Sequence, residues 1–247
     1  MQAVITGASS GIGKEMAILL SQKGYDLILV GRRRELMEKI CFSTNVKIFS
    51  YDLSKEEEVF SFYHEIEQEE IDVFINNAGF GVYGEFLESP LSQELQMLAT
   101  NVTAVHILSK LILEKFQTQN HGCLMNVASA AAFYSAPLLC AYYATKSYVY
   151  RLTMGIYEEL RQKKSPISVS VLCPGPVKTD FNRVAGLRPF ARGLESKAVA
   201  EYAIKQMFRK KTVIVPGILM KLGRLFAPLL PEKFLLRFLY QIQKKKV

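Results

Sequence analysis

Cysteine and histidine are scarce in this sequence of 247 residues, which has 4 cysteines and 3 histidines. Cys41, Cys123, Cys140 and Cys173 form no C-x-x-C pair and have no histidine at ligand spacing. We therefore expect free thiols in a cytoplasmic protein and no metal site. The chain also lacks an apolar run of about 18 residues free of charge, which argues against a membrane-spanning helix. Residues 1–6 lead directly into the first apolar segment and do not resemble a signal peptide.

Acidic residues are depleted only near the C-terminus. The whole chain has 31 Lys and Arg against 23 Asp and Glu, a net charge of +8. Residues 217–247 hold seven basic residues and the single acid Glu232, so this segment alone carries +6. Because the remaining residues are nearly neutral, we expect no general nucleic-acid-binding surface.

Short apolar runs alternate with helical patterns along most of the chain. The runs that predict strands are residues 3–6, 25–30, 46–51, 73–76, 123–127, 168–173 and 212–215. Helical patterns lie at residues 13–23, 34–40, 55–69, 90–116, 141–163 and 196–209, with Ser54 before Glu57 and Ser89 before Pro90 as start signals. This pattern predicts an α/β fold, a doubly wound, seven-stranded parallel sheet with helices on both faces. It also predicts one domain over residues 1–216 and a helical extension at 217–247.

A glycine-rich loop follows the first predicted strand. The segment TGASSGIG, residues 6–13, places Gly7, Gly11 and Gly13 where the first helix opens. Glycines let the backbone approach a pyrophosphate, whose charge is favoured by free N–H groups at a helix N-terminus. The alternative is a tight glycine turn without a ligand.

Arginines occupy the end of the second strand, at Arg32, Arg33 and Arg34. An acidic residue here would select a ribose with a free 2′-hydroxyl, whereas arginine suits a 2′-phosphate. The sequence therefore favours NADP(H) over NAD(H). The alternative is a solvated, basic start of a helix, which the helix dipole disfavours.

Tyr142 and Lys146 are four residues apart on a helical pattern, so their side chains share one face. The same spacing occurs at residues 51–55 and 240–244, so the spacing alone is weak evidence for a catalytic pair. Only Tyr142 follows the fifth predicted strand, whose C-terminal end carries Ser129.

Taken together, these motifs resemble the short-chain dehydrogenase/reductase family over residues 3–216. The resemblance is carried by TGASSGIG, Asp52, NNAG at 76–79, Asn101, Ser129, Y-x-x-x-K at 142–146 and PG at 174–175. It implies a Rossmann-type sheet and a catalytic tetrad of Asn101, Ser129, Tyr142 and Lys146. The implied cofactor-binding residues are Gly7, Ser9, Ser10, Gly11, Ile12, Gly13, Arg32, Arg33, Asp52, Leu53, Asn77, Ala78, Gly79, Tyr142, Lys146, Pro174, Gly175, Val177 and Thr179.

The residue types suit the reduction of a carbonyl group. NADPH supplies the hydride and the Tyr142 hydroxyl the proton. A free tyrosine has a pKa near 10, so we expect Lys146 and the oxidised cofactor to depress it by about 3 units. Ser129 would stabilise the substrate oxygen, and Asn101, by resemblance, would hold a water for proton relay. The alternatives are a turn residue for Ser129, a helix cap for Asn101 and a solvated position for Lys146.

The main hypothesis is an NADPH-dependent carbonyl reductase that can also act as an alcohol dehydrogenase. An apolar small-molecule substrate is expected, because Phe80, Val82, Phe86, Phe133, Tyr134, Leu138 and Leu139 surround the family's pocket positions. Alternatives are a non-catalytic cofactor-binding regulator and a lipid-processing reductase at a membrane surface. By resemblance, a homodimer should form through the helices at 90–116 and 141–163.

The segment after residue 216 is the least family-like part. Its apolar stripe, Leu235, Leu236, Phe238, Leu239 and Ile242, has helical spacing, and Pro228 and Pro231 predict two short helices rather than one. The stripe can pack on the domain or on a partner subunit. Alternatively, it can lie at the inner face of a membrane, with its basic residues at anionic headgroups.

Overall fold

Seven parallel strands form the central sheet of the computed structural model, which describes residues 1–186 and 193–244. The strands are β1 (Gln2–Thr6), β2 (Asp26–Val30), β3 (Val46–Phe49), β4 (Val73–Asn76), β5 (Cys123–Val127), β6 (Ser168–Leu172) and β9 (Val213–Ile214). Their spatial order is β3-β2-β1-β4-β5-β6-β9. The order reverses between β1 and β4, which opens a crevice at the carboxyl ends of these two strands. The predicted doubly wound, Rossmann-type fold is confirmed.

Helices cover both faces of the sheet. They are α1 (Gly11–Gln22), α2 (Arg34–Glu38), α3 (Glu56–Ile66), α4 (Leu91–Leu98), α5 (Ala104–Gln119), α6 (Cys140–Gln162), α7 (Phe181–Val184), α8 (Ser196–Phe208), α9 (Ile218–Phe226) and α10 (Glu232–Lys244). Along β1, Ala3 and Ile5 pack with α1 and α8, whereas Val4 packs with α3 and α5. Because both strand faces are buried, the strands are continuous apolar runs.

The predicted helix at residues 90–116 contains a π-helical turn. Residues Ala99–Thr103 form this turn between α4 and α5, and Asn101 lies in it, fully buried. By length and composition alone, the stretch Leu91–Gln119 could cross a membrane. Its inward side chains, Leu108, Ile112 and Phe116, are however part of the core beneath the sheet.

Ser54 lies two residues before helix α3, in agreement with its role as a start signal, but its hydroxyl does not cap the helix. Helix α3 begins at Glu56, and the Ser54 hydroxyl donates to Asp52 Oδ1 over 2.8 Å. Glu58, rather than Glu57, accepts a hydrogen bond from the Asp52 amide. These contacts shape the turn after β3 instead of capping the helix.

The chain after β6 builds features that periodicity did not indicate. Strands β7 (Val177–Lys178) and β8 (Leu194–Glu195) form a separate parallel pair, with the short helix α7 between them in sequence. After β9, α9 and α10 are divided by a 3₁₀ turn at Ala227–Leu229, in agreement with the predicted two short helices. Arg224 of α9 donates to the Tyr150 hydroxyl on α6, which ties this segment to the domain.

Candidate active site

The crevice at the sheet's carboxyl edge contains a cleft of about 670 Å³. One end is built by the loop after β1, where Gly7 has a φ of +66°. A Cβ at Gly7 would lie 2.8 Å from Ala78 Cα, and one at Gly13 would collide with Asn77 Nδ2. The Asn77 amide donates to Thr6 O (2.9 Å) and Gly7 O (3.1 Å), so it locks the loop against β4. The glycines therefore permit close packing as well as a backbone cradle.

Arg32 and Arg33 both line this end of the cleft, but they differ in their contacts. Arg33 Nη2 donates to the hydroxyls of Ser9 (3.0 Å) and Ser10 (2.9 Å), and its Nη1 lies 3.6 Å from Asp180. Arg32 is exposed, and its guanidinium makes no hydrogen bond or ion pair with another described residue. One arginine thus braces the loop while the other is available to an anion.

Asp52 and Leu53 also line this end of the cleft. Partial burial acts to raise the pKa of Asp52, but two hydrogen bonds from Ser54 and the charges of Arg32 and Lys55 lower it overall. A charged carboxylate is therefore held beside the groove, at a position that the resemblance assigns to cofactor binding.

These residues fit a phosphate-bearing dinucleotide. The N-terminus of the 12-residue helix α1 opens at Gly11, directly behind the glycine cradle. Unpaired N–H groups at such a terminus favour a pyrophosphate, and Arg32 supplies a positive charge at the outer edge. Ile12, Pro174, Gly175, Val177 and Thr179, all predicted from the resemblance, line the same cleft.

At the other end of the cleft, α6 places Tyr142 and Lys146 beside Ser129. Lys146 is only 4% exposed, and its Nζ donates to Val127 O over 3.0 Å. Its Nζ lies 6.0 Å from the centre of the Tyr142 ring. The alternative of a solvated Lys146 is wrong, since the ammonium faces the site. Ser129 does act as a turn residue, because its hydroxyl accepts from Ala131 N, but it also borders the cleft.

Asn101 is buried behind this group. Its Nδ2 donates to Phe80 O (2.8 Å) and Thr145 Oγ1 (3.2 Å), and its Oδ1 accepts from Phe80 N (3.1 Å). A Cβ added at Gly79 would lie 2.8 Å from Asn101 Oδ1 and 3.2 Å from Lys146 Nζ. Asn101 Oδ1 and Lys146 Nζ therefore both lie against Gly79, where a larger residue would not fit. Asn101 lies within the π-helical turn and does not cap a helix, so that alternative is wrong.

The protonation equilibria differ from the expectation for Tyr142. Burial raises its pKa to about 12, although the Ser129 hydroxyl acts in the opposite direction. The protein alone therefore shows no depression by Lys146; the predicted depression also invokes the oxidised cofactor and stays a prediction for the complex. Burial also lowers the pKa of Lys146 to about 8.

We expect these pKa values to shape the pH dependence of reduction. Tyr142 stays protonated well above neutrality, whereas Lys146 loses its charge as the pH rises through about 8. Without the ammonium, the phenolate that forms on proton donation is less stable. The kcat/KM for a carbonyl substrate should be flat below pH 7 and fall about tenfold per pH unit above 8.

Lys146→Arg should remove this decline, because a guanidinium stays charged. Lys163→Arg, at the exposed end of the same helix, should leave the profile unchanged. A decline that is identical in Lys146→Arg and the parent protein would contradict the assignment.

The apolar pocket was predicted only in part. Phe80, Tyr134 and Leu139 line the cleft, and Val82 packs nearby, but Phe86 is 62% exposed. The ring of Phe133 instead packs edge-on against Tyr150, 5.4 Å away, and Leu138 is buried in the loop. The wall is completed by residues that the sequence did not single out for this role, Phe181 and Asn182 of α7, Met220 of α9, and Leu239, Ile242 and Gln243 of α10.

The structure shows no candidate metal centre among the residues it describes, since no group of three or more His, Cys, Asp or Glu side chains converges there.

A sheet that offers a dinucleotide groove at its switch point, with a buried tyrosine and lysine at the groove's inner end, is the arrangement of oxidoreductases that use a nicotinamide cofactor.

Comparison with known proteins identifies the family. Residues 1–187 match the family model described as short chain dehydrogenase, and the chain belongs to that family. An uncharacterized oxidoreductase of Staphylococcus aureus is 30% identical over 222 residues, covering 87% of this chain and 94% of that protein. Human 17-beta-hydroxysteroid dehydrogenase type 3 is 30% identical over 195 residues, covering 73% of this chain and 60% of that protein.

Among solved structures, a short-chain dehydrogenase from Sphingobium yanoikuyae in complex with NADPH is 26% identical, with a TM-score of 0.80 and 88% of each chain covered. The protein is thus an oxidoreductase of a family that uses nicotinamide cofactors on small molecules.

Proposed function

We propose that this protein is an NADP(H)-dependent carbonyl reductase of the cytoplasm, able to oxidise secondary alcohols in reverse, with an apolar substrate. The observation that carries the proposal is the cleft itself. It has Arg32 at one end, the buried Tyr142–Lys146 pair beside Ser129 at the other, and a largely apolar wall beyond. The likeness to a hydroxysteroid dehydrogenase supports a bulky, apolar substrate.

Each residue has a distinct role in the proposed reaction. The cofactor, when bound, supplies the hydride to the carbonyl carbon. Tyr142, protonated because its pKa is about 12, donates the proton to the substrate oxygen. The Lys146 ammonium stabilises the resulting phenolate, and the Ser129 hydroxyl donates a hydrogen bond to the oxygen as negative charge develops. Asn101 bonds both the N–H and the C=O of Phe80 and so holds the neighbouring Gly79 beside Lys146.

The test is a screen of ketones and aldehydes of graded chain length, with NADPH oxidation as the readout. Turnover that rises with apolar size supports the proposal. A protein that binds NADPH but reduces none of these compounds would favour the alternative, a non-catalytic cofactor-binding regulator. The proposed catalytic residues are all present and are buried or half-buried at the site, which favours an enzyme over a regulator. They are Asn101, Ser129, Tyr142 and Lys146.

We propose that the protein forms a homodimer through α4, α5 and α6. Helix α4 exposes Leu91, Leu95 and Leu98, which share one face at helical spacing. Static light scattering at low micromolar concentration should give twice the chain mass of 27.9 kDa. Replacing Leu91 and Leu95 by Lys should give a monomer, whereas Phe60→Lys on α3 should not. A tetramer that persists at this concentration would contradict the proposal.

A peripheral membrane contact through residues 217–244 is a second proposal. Here α9 exposes Ile218, Leu219 and Leu225, and α10 exposes Phe234 and Phe238. The exposed cations Lys233, Arg237 and Lys244 lie on α10 among these side chains. Apolar groups beside cations match an anionic lipid surface, where each basic residue contributes about 1 kcal/mol.

Co-sedimentation with phosphatidylglycerol vesicles should therefore be strong at low salt and weaken as salt is added. Replacing Phe234 and Phe238 by Ser should reduce the bound fraction severalfold. The matched control is Phe86→Ser, which removes an exposed phenylalanine elsewhere on the surface. If the paired change instead lowers the mass measured by light scattering, the exposed face binds a second copy of the chain and not lipid.

A further inference from the structure

Two buried side-chain oxygens have no hydrogen-bond partner among the residues that the structure describes, Asn182 Oδ1 and Gln243 Oε1. Both residues lie in the wall of the cleft that contains Tyr142. Burying an acceptor without a partner costs about 1–3 kcal/mol, and such groups are rare in native proteins. Their shared position in the wall of one cleft makes these two residues the first candidates for contact with a bound ligand.

Of these two residues, Gln243 is the better supported candidate for a contact with a bound ligand. It is 1% exposed and is the one fully buried residue of α10. The helix contains several apolar residues, yet its fully buried position is occupied by a polar side chain. Its backbone oxygen accepts a hydrogen bond from the Tyr83 hydroxyl over 3.2 Å. Its side-chain Nε2 donates to the Tyr143 hydroxyl over 2.8 Å. Tyr83 therefore holds the backbone of Gln243 and Tyr143 holds its side chain, and Tyr143 directly follows Tyr142 in the sequence.

The Nε2 group of the Gln243 amide thus has a hydrogen-bond partner, whereas its Oε1 atom has none among the described residues. The neighbouring side chains on α10 that line the cleft, Leu239 and Ile242, are apolar and cannot provide a donor. A ligand hydroxyl matches the free end, because it can donate to an amide oxygen and can also accept from an amide N–H. A purely hydrocarbon ligand would leave the oxygen unpaired, so the site discriminates against it.

We propose that Gln243 determines substrate specificity by hydrogen-bonding a hydroxyl group remote from the reacting carbonyl. The preferred substrates are accordingly bulky, apolar ketones that carry a second oxygen function at their far end. The inference rests on the proposed carbonyl reductase function and narrows its substrate class.

The experiment compares matched pairs of ketones with NADPH as the reductant. Each pair is a cyclohexanone with a propyl, hexyl or cyclohexyl group opposite the carbonyl, with and without a hydroxyl at the end of that group. For the pair whose hydroxyl reaches Gln243, the wild-type protein should favour the hydroxylated ketone by about 3- to 10-fold in kcat/KM.

Gln243→Met, which keeps the length of the side chain, should bring this ratio close to one, mainly through the KM of the hydroxylated ketone. Gln241→Met makes the same change at an exposed position of the same helix and should keep the wild-type ratio. The KM for NADPH, measured in parallel, should be equal in all three proteins if the cofactor groove is intact.

A wild-type ratio at or below one for every pair overturns the inference, even if Gln243→Met proves unstable. An equal effect of the two glutamine variants also overturns it. These outcomes leave the proposed reductase function standing, since the ketones are still reduced. Failure to reduce any of the ketones removes the reductase function itself, and with it the inference.

Discussion

Tyr142→Phe should abolish carbonyl reduction while leaving NADPH binding almost unchanged. The substitution removes one hydroxyl from a buried ring that packs 5.2 Å from Phe181, so the shape of the site is preserved. What is lost is the proton donor, and general acid catalysis contributes on the order of 10²- to 10⁴-fold. We therefore expect kcat to fall by about that factor, with the NADPH dissociation constant within about twofold of the wild-type value.

Steady-state kinetics with saturating NADPH, together with fluorescence titration of NADPH, would test this expectation. Tyr240→Phe is the matched control, because Tyr240 belongs to another Y-x-x-x-K sequence on a helix. Lys146→Ala should impair both turnover and NADPH binding, since it removes the ammonium beside Tyr142 and the resemblance implies that Lys146 also binds the cofactor. A near-normal kcat in Tyr142→Phe would show that another group is the acid.

Arg32→Ala should weaken NADPH binding by roughly 10- to 150-fold and barely change NADH binding. A charge-assisted contact to a 2′-phosphate is worth about 1.5–3 kcal/mol, which corresponds to this factor. Arg32 carries the larger share of the effect because its guanidinium has no partner among the residues described. Arg33→Ala should affect both cofactors, since it also removes the braces to Ser9 and Ser10.

The double variant at Arg32 and Arg33 should therefore show the largest loss of NADPH affinity, whereas the loss of NADPH selectivity should already be present in Arg32→Ala. Arg34→Ala is the control, because Arg34 points away to Glu38 and Ile48 O. The measurement is the ratio of kcat/KM for NADPH to that for NADH. A wild-type preference for NADH, or equal losses with both cofactors in Arg32→Ala, would overturn the assignment of NADP(H).

The sheet could be predicted from the sequence because its central strands are buried on both faces. Apolar runs such as residues 73–76 can be read as strands without knowing their neighbours, and strand β4 matches that prediction residue for residue. The nucleotide groove was equally accessible, since its glycines and arginines follow directly from the ends of β1 and β2. Local sequence therefore determines this half of the site.

The substrate side was less predictable because it depends on the path of the chain between distant segments. Nothing local to Gln243 indicates that it is the buried residue of α10, and Phe86 reads as a pocket residue although it faces solvent. The pKa of Tyr142 could not be predicted from local sequence either. Its direction depends on how deeply α6 is buried, which the Y-x-x-x-K spacing does not specify.

The hydrogen bond between Tyr143 and Gln243 joins residues that are 100 positions apart in the chain. At roughly 5–20 residues per second, a ribosome needs about 5 to 20 s to synthesise that interval. During this time the nascent polypeptide already contains β1 to β5, the glycine loop and the start of α6, but not the wall supplied by α10. The segments that build the nucleotide groove are therefore synthesised before α10, and the wall supplied by α10 is the last part of the cleft that the growing chain acquires.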